Sequence, residues 1–343
     1  MREYASICLH IRIYKQGFKN MNDFIFSVNA ISPIVLTVVL GYLLKRLGLL
    51  PKPVALQMNK VVFRALLPVM LMLNIYKIEP SQTIDPSYIL YGVLFLLLLF
   101  ALLLWPICRF IKRNQRGVLL QCIFRSNYAL IGIPLATALC GESGAIHATI
   151  MSAVIIPVFN ILAVFCLAIF SDKKANYKSV LLGILKNPLI IGVATGGLFL
   201  LLRMIFVRTG IEFRLTDITP IYKVLSDLSA IATPVALLCL GANFEFSAIA
   251  ALKNQIILGV GIRNVLVPIL GIGGALLLGC FDSAHFSVFI ALFATPLAVS
   301  TVPMVQEMDG DVDFAGQVLV FSTIFSTFSI FLSTYVLRLL GIF

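Results

Sequence analysis

The sequence predicts an all-α membrane protein of about ten transmembrane helices. Of the 343 residues, 60% are hydrophobic and only 12% are charged, whereas a soluble domain carries about 25% charged residues. Apolar runs of about 20 residues, the length that a bilayer requires, recur along the whole chain. The connections between these runs are short, so none of them is long enough to fold as a soluble domain.

Turn and charge signals separate many of the apolar runs, as at Pro51-Lys52-Pro53 and Lys112-Arg113-Asn114. The predicted spans cover residues 24–44, 58–76, 87–109, 117–138, 145–170, 179–202, 219–243, 255–279, 284–306 and 314–340.

The net charge of +11 is interpreted as membrane topology rather than nucleic-acid binding, because the basic residues lie between apolar runs. They cluster in the loops after spans one, three and five, which we expect to face the cytoplasm with both termini outside. Arg203, Arg208 and Arg214 oppose this orientation, because they fall on the predicted outer side.

The chain contains an internal repeat. Three pairs of spans carry matching proline and glycine positions in the same order, which indicates two halves of five helices each. Since five is odd, the second half enters the membrane from the opposite side, a plan common among secondary transporters. The matches join Ser32-Pro33 and Gly41 to Asn187-Pro188 and Gly196, Leu67-Pro68-Val69 to Thr233-Pro234-Val235, and Pro134 with Gly141 to Pro303 with Gly310.

This repeat divides the chain into a first repeat at 23–172, a cytoplasmic linker at 173–178 and a second repeat at 179–343. Residues 1–22 are predicted to be an N-terminal extension that is basic and only patchily apolar. No clean small-residue cleavage site follows them, which disfavours a signal peptide. Whether residues 1–20 belong to the mature protein stays open.

Spans four and nine are predicted to be broken helices. Proline removes a backbone donor and clashes with the preceding turn, so a helix bends or breaks there. Backbone groups freed in this way are tolerated in a membrane only inside protein or beside a watery cavity. Matched breaks in two repeats therefore predict a binding site. The candidate substrate-binding residues are Ser126, Asn127, Pro134, Thr295, Ser300, Thr301 and Pro303.

Arg125 and Arg263 lie well inside predicted spans, where charges are rare. Arg125 precedes the break in span four and could attract an anion. Arg263 in span eight is a further candidate for substrate binding, with the satisfaction of buried carbonyl groups as an equal alternative. Because no Asp or Glu lies at the breaks, an anionic substrate is favoured over a carboxylate-based ion relay.

The chemistry-bearing residues are otherwise scattered. The seven cysteines form no CxxC pair and the three histidines are isolated, so neither a disulfide framework nor a metal site is expected. No nucleotide motif and no Ser-His-Asp constellation is present, and an enzyme and a cofactor are therefore not expected.

These motifs resemble the auxin efflux carrier family, which includes plant auxin carriers and bacterial malate or malonate permeases. The resemblance covers the chain from about residue 25 to its end. It rests on the stretches Gly41-Tyr42-Leu43-Leu44-Lys45-Arg46-Leu47-Gly48, Leu66-Leu67-Pro68, Arg125-Ser126-Asn127, Gly132-Ile133-Pro134-Leu135, Lys186-Asn187-Pro188-Leu189 and Ala232-Thr233-Pro234-Val235-Ala236-Leu237 with Gly241-Ala242.

The resemblance implies a five-plus-five inverted repeat in which spans four and nine cross at their breaks. It also implies a scaffold of spans one, two, six and seven beside a moving transport domain of the other spans. Asn127 and Pro134 match the first crossing motif of the family. The second crossing departs from it, because Pro296 stands where the family has an asparagine, and this departure leaves the substrate open.

The expected function is that of a permease that moves small organic anions, such as malate, malonate or auxin-like acids, by an elevator-like motion. The short loop after span five favours a bacterial type, located in the inner membrane. The expected partners are the anion and the lipid bilayer; proton or sodium coupling and homodimer formation stay open. The alternative is a membrane-embedded ligand sensor or interaction protein without transport activity.

Overall fold

The computed structural model describes residues 25, 28–29, 32–77, 85–170, 185–210 and 213–343, and these residues fold almost entirely into helices. The predicted extension at 1–22 and the predicted linker at 173–178 lie outside this set. Within it, seven helices are long and apolar enough to cross a membrane. The helices are α1 (32–46), α2 (Lys52–Tyr76), α3 (Pro86–Phe110), α4 (Arg113–Phe124), α5 (Tyr128–Phe170), α6 (Pro188–Arg208), α7 (Thr219–Asn243), α8 (Phe246–Gly261, Ile262–Leu266 and Val267–Leu278 in succession), α9 (Ser283–Phe293), α10 (Thr301–Glu307) and α11 (Val312–Leu339).

These helices overlap every predicted span, with differences at the boundaries. α8 begins at Phe246, well before the predicted start at 255, because Lys253 and Asn254 lower the hydropathy of its first turns without ending the helix. Predicted spans four and five are joined in α5, which kinks at Cys140 and Gly141. Gly141 has φ 61° and ψ −139°, a conformation open to glycine and closed to most other residues.

Four of the helices start with a side-chain cap, and two of these four also have a proline in the first turn. The carboxylate of Asp85 accepts a hydrogen bond from the Ser87 amide at the start of α3, and the Asn187 side chain does the same for Leu189 at the start of α6. A proline follows each of these two caps, at the position where a missing N–H is harmless. Asp282 and Asp311 cap α9 and α11 in the same way.

Three π-helical turns interrupt the helices, and each ends two residues before a proline. They cover Val62–Leu66 before Pro68, Tyr128–Gly132 before Pro134 and Ile262–Leu266 before Pro268. A proline ring clashes with the preceding turn and leaves a carbonyl without its donor. A widened turn relieves this conflict, so these prolines are accommodated without a sharp break in the helix.

The helices pack in two sets. The first set contains α1, α2, α6 and α7, in which α2 packs against α6 and α7. The second set contains α3, α4, α5 and α8 to α11, with α5 against α4 and α9, and α8 against α11.

Within the first set, glycines allow the backbones to touch. A Cβ atom placed on Gly41 of α1 would lie 2.2 Å from the Leu238 carbonyl oxygen of α7, and one on Gly196 of α6 would lie 2.6 Å from the Met72 carbonyl oxygen of α2. Since real Cβ atoms do not approach backbone this closely, both helix pairs depend on glycine at these positions.

Candidate functional site

The interruptions of two helix pairs meet at one point inside the second set. α4 ends at Phe124 and α5 begins at Tyr128, while α9 ends at Phe293 and α10 begins at Thr301. Between them the two extended segments form an antiparallel bridge at Ser126 and Leu297.

Two backbone hydrogen bonds make this join. The Asn127 amide donates to the Pro296 carbonyl at 2.8 Å, and the Ala298 amide donates to the Arg125 carbonyl at 3.3 Å. Each segment thereby pairs backbone groups that would otherwise be exposed to hydrocarbon. We refer to the two segments, 125–127 and 294–300, as the crossing.

The prolines flank the crossing and do not form its breaks, except for Pro296. Pro134 follows the π turn of α5, and Pro303 lies in the first turn of α10. Both are in or near a first helical turn, where proline is tolerated. The chain leaves the helical path earlier, at Arg125 and Ala294.

Arg263 binds the ends of both helices that run into the crossing. Its side chain is completely buried. It donates to the Ile123 carbonyl at the end of α4 at 3.0 Å, to the Leu292 carbonyl at 3.1 Å and twice to the Thr295 carbonyl, at 3.0 and 2.6 Å. Helix C-termini leave carbonyls unpaired and carry partial negative charge. Arg263 donates hydrogen bonds to such carbonyls and places a positive charge beside the two helix ends.

A cavity of about 500 Å³ lies between the crossing and the first helix set. One wall comes from α1, α2 and α7, and the other comes from the crossing and the middle of α5. The polar residues that line it are Thr37, Asn74, Arg125, Ser126, Asn127, Asn160, Ser229, Thr233 and Ser300. A larger groove of about 730 Å³ between α8 and α11 has an almost wholly apolar lining and does not include the crossing.

Arg125 is the charged residue of this cavity. Its exposed fraction is only 2%, and its Nη2 atom donates to Asn160 Oδ1 at 2.8 Å and to Ser300 Oγ at 2.9 Å. Its Nη1 atom lies 3.4 Å from Gln121 Oε1 and 3.3 Å from Met304 Sδ. These neighbours are neutral, and the part of the chain that the structure describes pairs no carboxylate with this guanidinium.

Two further polar groups at the crossing have no hydrogen-bond partner among the residues that the structure describes. They are Ser126 Oγ and Asn127 Nδ2, and both residues are buried and line the cavity. A buried donor without a partner is unfavourable by about 1–3 kcal/mol. The arrangement therefore offers donors to a bound molecule that carries acceptors.

The structure brings together part of the predicted site. Ser126, Asn127 and Ser300 line the cavity, whereas Pro134, Thr295, Thr301, Pro303 and Arg263 do not. The Thr295 hydroxyl donates to the Ala291 carbonyl of its own helix at 2.7 Å. Thr301 is buried with an unpaired hydroxyl, at the start of α10.

Asn160 is a residue of the site that was not among the predicted ones. A signal was nonetheless present, since Asn160 is an amide inside an apolar run. Asn74 of the opposite wall has the same signal, being an amide in the apolar run of span two, whereas Thr37, Ser229 and Thr233 have no signal beyond being polar within a predicted span.

Taken together, these features define a multi-pass integral membrane protein with a polar cavity where two interrupted helices cross. The chain belongs to the membrane transport protein family, whose family model matches residues 26–334. This match confirms the resemblance to the auxin efflux carrier family. The chain is also similar to an uncharacterized transporter of Methanothermobacter thermautotrophicus, with 24% identity over 327 residues that cover 92% of this chain and 99% of that protein.

Proposed function

We propose that this protein is a secondary transporter that carries small organic anions, with the substrate bound in the cavity at the crossing. The observation that supports this most directly is Arg125, a buried guanidinium that lines the cavity beside neutral partners only. A buried charge without a counter-ion is strongly unfavourable. A bound carboxylate would supply that counter-ion.

The remaining polar groups fit the same ligand. Ser126 Oγ and Asn127 Nδ2 are unpaired donors next to Arg125 in the chain, and a carboxylate accepts several hydrogen bonds but donates none. No Asp or Glu is among the described residues that line the cavity. An anion is therefore favoured over a cation, and the substrate-binding role is proposed for Arg125, Ser126, Asn127 and Ser300.

The rest of the cavity favours one carboxylate over two. Its walls are largely apolar, with Ile34, Leu67, Ile156, Phe159 and Leu237 among the lining residues, and Arg125 is the one cationic residue in the lining. A second carboxylate buried in this cavity would lack a cationic partner among the described lining residues. An auxin-like acid, with one carboxylate and an apolar body, fits this cavity better than malate or malonate.

The two helix sets support an elevator-like mechanism. The cavity lies between them, so that a ligand contacts both sets, and sliding of the second set along α1, α2, α6 and α7 would carry the ligand across. The glycine contacts support an inverted repeat. Gly41 meets the residue four positions after Pro234, and Gly196 meets the residue four positions after Pro68. Two similar halves in opposite orientations give two conformations of similar energy, as alternating access requires.

The test is uptake of labelled acids into proteoliposomes, with and without an imposed sodium or proton gradient. We expect saturable uptake of an aromatic monocarboxylate, with weaker uptake of malate and malonate. Arg125→Gln should abolish uptake, and Arg125→Lys should retain a part of it. Asn127→Ala should raise KM by about 10- to 100-fold, the value of a hydrogen bond to a charged group.

Thr195→Ala is the matched control, because Thr195 is bonded to Ile191 of its own helix on the exposed surface of α6. Unchanged uptake by Arg125→Gln would remove Arg125 from the site. Saturable binding without flux would refute transport and favour the alternative function, a membrane-embedded ligand sensor. No binding of any acid would refute the proposed substrate class.

A further inference from the structure

The two ends of α2 contact different parts of the molecule. Its C-terminal half contributes Leu67, Met70, Leu71 and Asn74 to the wall of the cavity. Its N-terminal half, which follows the loop at 47–51, contributes no lining residue and instead contacts α10. Asn59 and Met70 are about 16 Å apart along the helix axis at 1.5 Å per residue. The cavity and the contact with α10 therefore lie at different levels along α2.

The contact between α2 and α10 is polar. The side-chain amide of Asn59 donates from Nδ2 to Gln306 Oε1 at 2.9 Å. The side-chain amide of Gln306 donates from Nε2 to the Leu56 carbonyl at 3.0 Å. Nearby, Arg64 Nε and Nη2 lie 3.1 and 3.0 Å from Glu307 Oε2. We refer to Leu56, Asn59, Arg64, Gln306 and Glu307 as the α2–α10 latch.

The latch joins the two helix sets at the far end of α10, the short helix that follows the crossing. α10 begins at Thr301, and the residue before it, Ser300, lines the cavity and accepts a hydrogen bond from Arg125. Between this point and the latch, Val302, Pro303, Met304 and Val305 are buried. A path from the cavity toward the 47–51 side is therefore filled by α10, which the latch holds against α2.

The chemistry of the latch suits a contact that breaks and re-forms. The Arg64 side chain is 69% exposed, so water reaches one partner of the ion pair and can replace the contact. Asn59 is completely buried, so water replaces its hydrogen bond to Gln306 only when α2 and α10 separate. An interface of interlocked apolar side chains would resist separation more strongly than this one.

We infer that Asn59, Arg64, Gln306 and Glu307 are positioning residues for transport, which close the substrate cavity on the 47–51 side by holding α10 against α2. Release of the latch frees α10 and opens the crossing to that side. This inference depends on the proposed function, because a protein that only senses a ligand needs no second opening.

The first test locks the latch. In the variant Asn59→Cys with Gln306→Cys, a cleavable bifunctional thiol reagent should abolish uptake, and a reductant should restore it. Lys223→Cys with Asp227→Cys is the matched control, since that pair lies 2.6 Å apart within α7 alone. The wild-type chain treated with the same reagent gives the baseline for its native cysteines. Full uptake by the crosslinked latch variant would refute the inference.

The second test measures the conformation of the latch itself. Spin labels at positions 59 and 306 should report a short and a long distance, and Glu307→Gln should increase the long-distance population several-fold. The charge swap Arg64→Glu with Glu307→Arg should restore the wild-type distribution, and Asp227→Asn should leave it unchanged. A single short distance in every variant that still transports would overturn the latch. Two distances in a protein without uptake would support the latch and refute the proposed function.

Discussion

The guanidinium of Arg263 donates two hydrogen bonds to the carbonyl of Thr295, at 3.0 and 2.6 Å, and a third to the carbonyl of Ile123. One side chain of α8 thus holds the ends of α4 and α9 together from behind the crossing. Arg125 lies at the same crossing but lines the cavity. The two buried arginines therefore have different environments, one satisfied by carbonyls and one beside a space that a ligand can fill.

Removal of Arg263 should destabilise the protein rather than change its substrate affinity directly. In Arg263→Gln, buried carbonyls lose their donors, at about 1–3 kcal/mol for each group left unpaired. Arg263→Lys should recover part of this loss, because a lysine keeps the charge but not the fork of donors. Thermal unfolding in detergent measures the effect.

Arg46→Gln is the control for Arg263, because Arg46 is an exposed arginine bonded only to Tyr42 four residues earlier. It should change stability by less than about 0.5 kcal/mol. If Arg263→Gln kept wild-type stability and lost ligand binding, Arg263 would contact the substrate, which is one of the two roles that the sequence left open.

The contact between α2 and α6 should not tolerate a methyl group at Gly196. A Cβ atom there would lie 2.6 Å from the Met72 carbonyl oxygen and 2.9 Å from its Cα atom. Because backbone cannot move aside as a flexible side chain does, Gly196→Ala should lower stability by about 1–3 kcal/mol.

The adjacent Gly197 provides the control, since a Cβ atom on it would meet nothing within 4 Å. Gly197→Ala should be neutral or stabilising by about 0.4–1 kcal/mol, because it reduces the freedom of the unfolded chain. Thermal unfolding of both variants decides this, and a larger loss for Gly197→Ala would contradict the packing described here.

Glu245, in the connection between α7 and α8, should make a small and pH-dependent contribution to stability. A hydrogen bond from Lys52, 3.1 Å away, and the charge of Lys45 hold the pKa of Glu245 below its ordinary value. A carboxylate with a lowered pKa stabilises the folded state above the ordinary value of 4.5, and this stabilisation is lost as the pH falls through the lowered pKa.

Because these side chains are partly exposed, the effect of Glu245→Gln should not exceed about 1 kcal/mol at neutral pH. Thermal unfolding of the wild type and the variant should differ at pH 7 and converge at acidic pH. A difference that grew on acidification would contradict this assignment of the pKa.

Local signals predicted much of this molecule. Apolar runs of bilayer length located the helices, and polar residues beside proline located the interruptions in spans four and nine, since both signals depend on residues close in sequence. The position of the break was less predictable. Pro134 and Pro303 fit into or near helical turns, and the extended segments precede them, because pairing between Asn127 and Pro296 decides where the helices stop.

The sequence left two roles open for Arg263, and only the contacts between helices distinguish them. The partners of Arg263 are carbonyls of α4 and of the end of α9, and main-chain carbonyls have no sequence signature. Asn160 belongs to the candidate site because its side chain accepts a hydrogen bond from Arg125, 35 positions earlier in the chain. Such assignments depend on how separate helices meet, which a single sequence without contacts does not specify.

The bridge between Ser126 and Leu297 affects how substitutions at the crossing can change ligand preference. Both hydrogen bonds at the join come from main-chain groups, which every amino acid other than proline supplies in full. Replacing the side chains of Ser126, Asn127 or Ala298 leaves that join intact. In the proposed site, main-chain atoms thus hold the crossing together while side-chain atoms of the same few residues contact the ligand. We therefore expect substitutions there to change the preferred ligand without disrupting the crossing.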